Sequence, residues 1–298
     1  MFTFGQRGSH FFQCPLRREY SRLPKKLLSL ITSPQLKQIH HVCLGYEDSF
    51  LLTWRDGNDL DRVDSSGLPS ELIDFLYARD SQRRSSRNIP GIRCSLGPYN
   101  SSYFVHDGSA YAWMNLPAKL IDALQSRINA GKWIDRPRLI TLGAGSDFVF
   151  LTEKDTAIWN LDQYKFVSRH LAAAQSRQHD IRNIRNLVLH PHRYQGSIIH
   201  LQNGRVLSDN LPPPALADFK LMSDSIIQDA AADIRRQSSR QTMDLKAPMQ
   251  RKPSVLQQRA QMRREWGNHG QEFSAQAKGL KVSLSLDISL GGIARKLG

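Results

Sequence analysis

Cysteine is scarce in this chain: three among 298 residues, Cys14, Cys43 and Cys94, far apart in sequence. No CxxC pair and no Cys/His cluster occurs, so neither a structural zinc site nor any other metal or cofactor is expected. Cys43 and Cys94 fall in short apolar stretches and read as small buried hydrophobes. There is no run of about 18 apolar residues and no cationic-then-apolar leader. The expectation is an intracellular protein of the cytoplasm or nucleus, in a reducing compartment, with no membrane span. Also missing are a GxSxG elbow, a P-loop, an HExxH helix and a Rossmann glycine pattern. With no catalytic motif, the reading is non-enzymatic. Acidic residues are the minority, 27 against 41 Lys and Arg, for a net charge of +14.

What is present is a repeated sentence. Its clearest copy is Ile92–Leu124, IRCSLGPYNSSYFVHDGSAYAWMNLPAKLIDAL. Apolar-polar alternation leads to Gly97, Pro98 and Asn100, read as turn residues. Tyr103, Phe104 and Val105 favour a strand. Asp107-Gly108 signals a hairpin, and Tyr111 to Trp113 returns. Leu116-Pro117 opens a helix, with Pro at its first turn and Leu120, Ile121 and Leu124 on one face.

The pattern recurs around Gly5, Gly45 and Gly143, spaced 40, 52 and 46 residues apart through Gly97, and His190 falls 47 later. The distance from each Gly to the Leu that opens the helix is 18, 23, 19 and 18. Helix openings fall at Pro24, Pro69, Pro117 and Pro212; Asp162 stands at that place in the fourth copy, and Glu153-Lys154-Asp155 replaces its DG turn. Trp113 and Trp159 match one another as strand aromatics, and Trp54 does not. Short strands repeating every 40 to 50 residues predict a mainly β fold with helices: a five-unit, propeller-like array of three strands and one helix per unit. An open β/α solenoid is the alternative. Unit boundaries are expected at about 1–38, 39–90, 91–137, 138–185 and 186–235.

The phrases SLGPYNSSYFVHDGSAYAW and NLPAKLIDAL resemble repeats of uncharacterised filamentous-fungal proteins, which run LG-x-x-G-x-YFV, a DG turn, Trp and a GLP-helix. Some of those proteins pair the repeats with a protein kinase domain; this chain has no Gly-rich loop, HRD or DFG. The resemblance covers residues 1–235 and implies a propeller-like fold with no known activity. A more distant likeness to WD-type and chromatin-regulator propeller repeats is confined to the DG–strand–Trp element.

Beyond the repeats the composition shifts. From Arg236 to Gly298 there are twelve Lys and Arg against four Asp and Glu. Residues 236–252 read as a disordered basic linker. Residues 253–298 read as a short basic helix, capped by Ser254 and carrying Val255, Arg259, Met262 and Trp266 on one face, followed by a strand. Leu280, Val282, Leu284, Leu286, Ile288 and Leu290 alternate with polar residues, the strand period. Such a strand can dock on the repeats, on a partner by β-augmentation, or on copies of itself. Ser86, Ser238 and Ser254 follow basic pairs and are candidate phosphosites. Arg251-Lys252 and Arg263-Arg264 have bipartite nuclear-import spacing. His190, His192 and His200 are read as turn and strand residues, and Asp56, Asp107 and Asp155 as hairpin-turn residues.

The function these features favour is a protein-interaction scaffold whose basic tail engages a protein partner or self-associates. A nucleic-acid or chromatin binder using the tail, and an enzyme with a loop-built site on the propeller axis, are the alternatives.

Overall fold

The computed structural model describes residues 1–246 except 83 and 177–179, with side chains described through Ala232. Leu280 to Leu290 and Ser254 lie outside these residues, as does the side chain of Ser238.

Among the described residues five three-stranded antiparallel sheets follow one another along the chain, and none of them closes on itself. The first holds β1 (Phe2–Phe4), β2 (His10–Gln13) and β3 (Arg18–Ser21), followed by α1 (Lys25–Ile31). The second holds β4 (Leu36–Leu44), β5 (Phe50–Asp56) and β6 (Asp61–Ser66), then α2 (Ser70–Leu76). The third holds β7 (Arg93–Leu96), β8 (Tyr103–His106) and β9 (Tyr111–Met114), then α3 (Ala118–Gln125). A two-stranded hairpin, β10 (Ile128–Asn129) and β11 (Lys132–Trp133), is inserted there. The fourth holds β12 (Pro137–Leu142), β13 (Phe148–Thr152) and β14 (Ala157–Asn160), then α4 (Lys165–Ser176). The fifth holds β15 (Ile184–Leu189), β16 (Ser197–Leu201) and β17 (Val206–Asp209), then α5 (Pro213–Lys246). The chain divides into a unit of Met1–Gln237 and a unit of Ser238–Gly298. The helix α5 runs to Lys246, so the linker expected over 236–252 is helical to that point.

Each sheet is a meander in which the second strand is central and the most apolar. Phe11 and Phe12, Phe50 to Leu52, Phe104 and Val105, Phe148 to Leu151, and Ile198 and Ile199 are all buried. These strands read as near-continuous apolar runs because both their faces are covered. Each face meets a neighbouring sheet, and the helix that follows a sheet lies in the core which that sheet shares with the next. Thus Phe104 and the α3 residues Leu120 and Leu124 share a core with Phe148 and Phe150 of the next sheet. The fifth sheet packs against the first in the same way: Ile198 and the α5 residues Ala215, Phe219, Met222 and Ile226 bury Phe2, Phe4 and Phe12. His10, fully buried, fastens this junction through its Nε2, 2.7 Å from Asp218 Oδ2 of α5.

The repeat residues hold their places for reasons that differ from the expected ones. Pro24, Pro69 and Pro117 precede their helices as N-caps, with φ near −52° and extended ψ, rather than occupying the first helical turn. Pro212 does the same for α5, its carbonyl accepting the Leu216 N–H. In the fourth unit Asp162 does not take this place. The helix starts two residues later, and the Tyr164 carbonyl accepts from Ser168. The hairpin position of Asp56 and Asp107 is likewise filled by Thr152, whose Oγ1 accepts the Thr156 N–H at 3.0 Å. Asp155 sits further round the turn, at φ 62°, paired with Arg182. Trp113 and Trp159 both lie on third strands, paired with Phe104 and Val149; Trp54 lies on a second strand and donates to Asp64.

Candidate functional site

Two places bring polar or exposed aromatic side chains together: a cavity between the five first strands, and the loops at one end of it.

The loops join the first strand to the second in each unit. All five close with one backbone bond, from the N–H of Gly5, Gly45, Gly97, Gly143 or His190 to the carbonyl of Ser9, Ser49, Ser102, Asp147 or Gly196. The glycines are not there for a left-handed turn, since Gly5 and Gly97 have φ −112° and −86°. They are there for close approach. A Cβ on Gly45 would overlap Ser49 Oγ and Asn100 Oδ1, and one on Gly143 would lie 2.7 Å from a Tyr164 ring carbon. The left-handed residues come after the glycine and are mostly not glycine: Arg7, Glu47, Asp48, Tyr99, Asn100 and Gln195. Side chains tend to avoid this region, so each needs holding. Asn100 supplies much of it, accepting the Tyr46 N–H and donating to Ser49 Oγ and the Gly67 carbonyl. Asn210 holds the fifth loop by donating to the Tyr194 carbonyl.

These loops converge. Tyr46 of the second unit packs edge-on against Tyr99 of the third at 5.0 Å, and lies 6.1 Å from the His192 ring of the fifth. Tyr99 is 69% exposed and Tyr194 60% exposed. His190 replaces the loop glycine in the fifth unit and fills the junction with the first, stacked on Phe4 at 4.7 Å and 7°. Burial drives its pKa down to about 3. His192 donates its N–H to His190 Nδ1, and His200 packs against Phe2. The three histidines do not share a centre, and no group of three metal-ligating side chains occurs among the described residues.

The cavity, about 460 Å³, is lined by Met1–Phe4, His40–Leu44, Arg93–Leu96, Arg138–Leu142 and Arg185–Leu189, one stretch from each first strand. His40, Arg138 and Arg185 stand at matching places, each extruded by a bulge five residues before the loop glycine or His190. Sequence alignment of the repeats contains this signal, but the bulges hide it from strand periodicity. Arg138 spends its guanidinium on the carbonyls of Ile184, Ile181 and Thr152, and burial lowers its pKa. His40 pairs with Asp61, and Arg93 donates to the Pro90 and Ile92 carbonyls. Gln13 Oε1, His106 Nδ1, His200 Nε2 and Asp229 Oδ2 are buried beside the cavity without a protein partner. Burial lowers the pKa of His106 and of His200 to about 4 each.

A second regularity ties the first strands together. In an antiparallel pair alternate N–H groups point away from the partner. The one just before each loop glycine meets an acceptor two residues before the preceding unit's glycine. Leu44 N–H donates to Thr3 Oγ1, Leu142 to Ser95 Oγ and Leu189 to Thr141 Oγ1, at 3.0 to 3.1 Å. At the second-to-third junction Cys43 holds the same place, and the Leu96 N–H helps lower its thiol. At the fifth-to-first junction the equivalent residue is Val188, which has no acceptor. This ladder of Thr3, Cys43, Ser95 and Thr141 escaped the sequence reading, although its four polar residues stand at one repeat position.

Ser86 is exposed, with its hydroxyl donated to the Ala78 carbonyl. No helix among the described residues is long and apolar enough to cross a membrane. Comparison with family models, curated proteins and solved structures finds no match to the chain.

Proposed function

We propose that the chain is a non-enzymatic protein-interaction scaffold, with its five units arranged as a propeller-like ring and its docking face formed by the converging loops. The arrangement is supported by the shared cavity and by the packing of sheet five on sheet one. The observation that carries the function is the exposure of Tyr99, packed on half-buried Tyr46, and of Tyr194, on loops whose backbone is already fixed by Asn100 and Asn210. Tyrosine offers large, amphipathic contact area at little entropic cost, and fixed loops reduce that cost further. An axial enzyme site is less favoured, because Arg138, Arg93 and His40 are committed to protein partners.

The test is quantitative affinity capture with the full chain and with a Tyr99→Ser/Tyr194→Ser variant that melts at the same temperature. The variant is expected to lose the proteins that the parent enriches. Unchanged enrichment overturns the docking face. Arg7 and Arg193 are exposed on the same loops, which favours single-stranded nucleic acid as the second reading, since bases stack on aromatic side chains. Oligonucleotide binding that weakens steeply with salt and is lost in the same variant would select it.

A further inference from the structure

Cys43 and Cys94 meet at the junction of the second and third units. His41 and Cys43 share the face of β4 turned to β7: His41 Nε2 lies 3.2 Å from both the backbone N and the carbonyl O of Cys94, and Cys43 and Cys94 sit in one core cluster, where their side chains influence one another's titration. Both cysteines are free. Apolar neighbours surround them, among them Leu51, Leu96 and Val105. Both also line the central cavity, with 5% and 9% of their surface accessible. Neither the ladder nor the core explains sulfur at both places. Thr3, Ser95 and Thr141 brace the other junctions with hydroxyls, and the position of Cys94 is filled in the other units by Phe2, Val42, Ile140 and Leu187. Among the five junctions this one alone sets a thiol against a thiol.

We propose that Cys43 and Cys94 form an oxidation site, at which hydrogen peroxide converts the dithiol to a disulfide that clamps unit two to unit three. The Cys43 thiolate attacks one peroxide oxygen. The O–O bond breaks, and the departing hydroxide takes up the thiol proton as water. The resulting Cys43 sulfenic acid is attacked by the Cys94 sulfur. The S–O bond breaks, and a second water leaves with the Cys94 proton. Two thiols and one peroxide thus give one disulfide and two waters. The environment favours this division of roles: the Cys94 side chain, with His41 and the Leu96 N–H, lowers the Cys43 thiol against burial, and the same pairing with burial pushes Cys94 up. A thiolate nucleophile next to a resolving thiol is what redox-sensing cysteines need. Both residues line the cavity, which offers peroxide a route that bulky disulfides do not fit. The bond formed would close a long loop, which stabilises a fold chiefly by restricting the unfolded chain.

The experiment treats the reduced full-length chain with hydrogen peroxide, blocks remaining thiols after unfolding, and maps peptides without reduction. The expected result is a Cys43–Cys94 linked peptide, a mass lower by two hydrogens, and a raised melting temperature that dithiothreitol reverses. The pair should react about ten-fold faster than Cys14. The Cys94→Ser chain should instead stop at a Cys43 sulfenic acid that dimedone traps. If both thiols remain fully blockable at peroxide levels that oxidise Cys14, or if the link forms only between chains or only after denaturation, the proposal is overturned. Peptide mapping of the unaltered chain separates these outcomes even where a variant fails to fold.

Discussion

Thr141→Val removes one rung of the ladder between the fourth and fifth units while keeping the shape of the side chain. Thr141 is 5% exposed and Leu189 is 1% exposed, so water does not replace the lost acceptor for the Leu189 N–H. Leaving a buried donor unpaired costs about 1–3 kcal/mol, and the added methyl returns up to about 0.8 kcal/mol of apolar burial. The net loss is roughly 1–2 kcal/mol. For a folded unit of this size that lowers the melting temperature by about 2–8 °C. The assay is a pair of thermal melts by circular dichroism, with Thr156→Val, a half-buried hairpin residue away from the junction, as the control. Hydrogen exchange at the Leu189 amide supplies the site-specific readout and should accelerate. The reciprocal change Val188→Thr gives the Phe4 N–H an acceptor and should raise stability by up to about 1 kcal/mol. An unchanged melt together with unchanged Leu189 exchange would refute the idea that these hydroxyls hold the units together.

Three further outcomes are expected. Gly45→Ala, where a Cβ collides with Ser49 and Asn100, should destabilise far more than Gly108→Ala, which has open space and only its φ of +94° against it; the latter should cost about 1–2 kcal/mol, measured by urea titration. Tyr164→Phe removes a buried hydroxyl that accepts from the Ala144 N–H and donates to the His190 carbonyl, both at 2.7 Å, and should cost roughly 2–3 kcal/mol in the same titration. His190 stays neutral in the fold down to about pH 3, whereas the unfolded chain takes up that proton near 6.5. Its contribution is therefore fully present above about 6.5 and falls away as the pH drops toward 3. By pH 5 the loss is about 2 kcal/mol, and in His190→Gln the fall in stability between about pH 7 and pH 5 should be shallower by that amount.

The repeat was legible because its signals are local. A DG turn at Asp107, strand-favouring aromatic and β-branched residues at Tyr103–Val105 and a Leu-Pro before four of the five helices each bias a few neighbouring residues, and recurrence multiplied them. Local reading failed where the recurrence was imperfect. The fourth unit looked as though Asp162 had replaced a proline, but the chain is longer there and Tyr164 has the cap. The expected linker at 236–252 reads as polar and aperiodic, yet α5 continues through Lys246. The sites were less legible still. Tyr46, Tyr99 and His192 lie in loops that a repeat alignment treats as turns, and their meeting depends on where three separate units point.

The sequence by itself determined the order and kind of elements: strand, strand, strand, helix, five times, because backbone propensity and side-chain period act within a dozen residues. Only the tertiary structure decided what the recurring positions within the chain are for. A glycine that seems to serve a turn proves to make room for a neighbour's side chain, as Gly45 does for Asn100 of the next unit. A cysteine that seems to be filler proves to share a core and a cavity wall with another, as Cys43 does with Cys94. These relations join residues about fifty apart in sequence. They are set by how one packed sheet lies against the next, and no periodicity along a single strand carries that information.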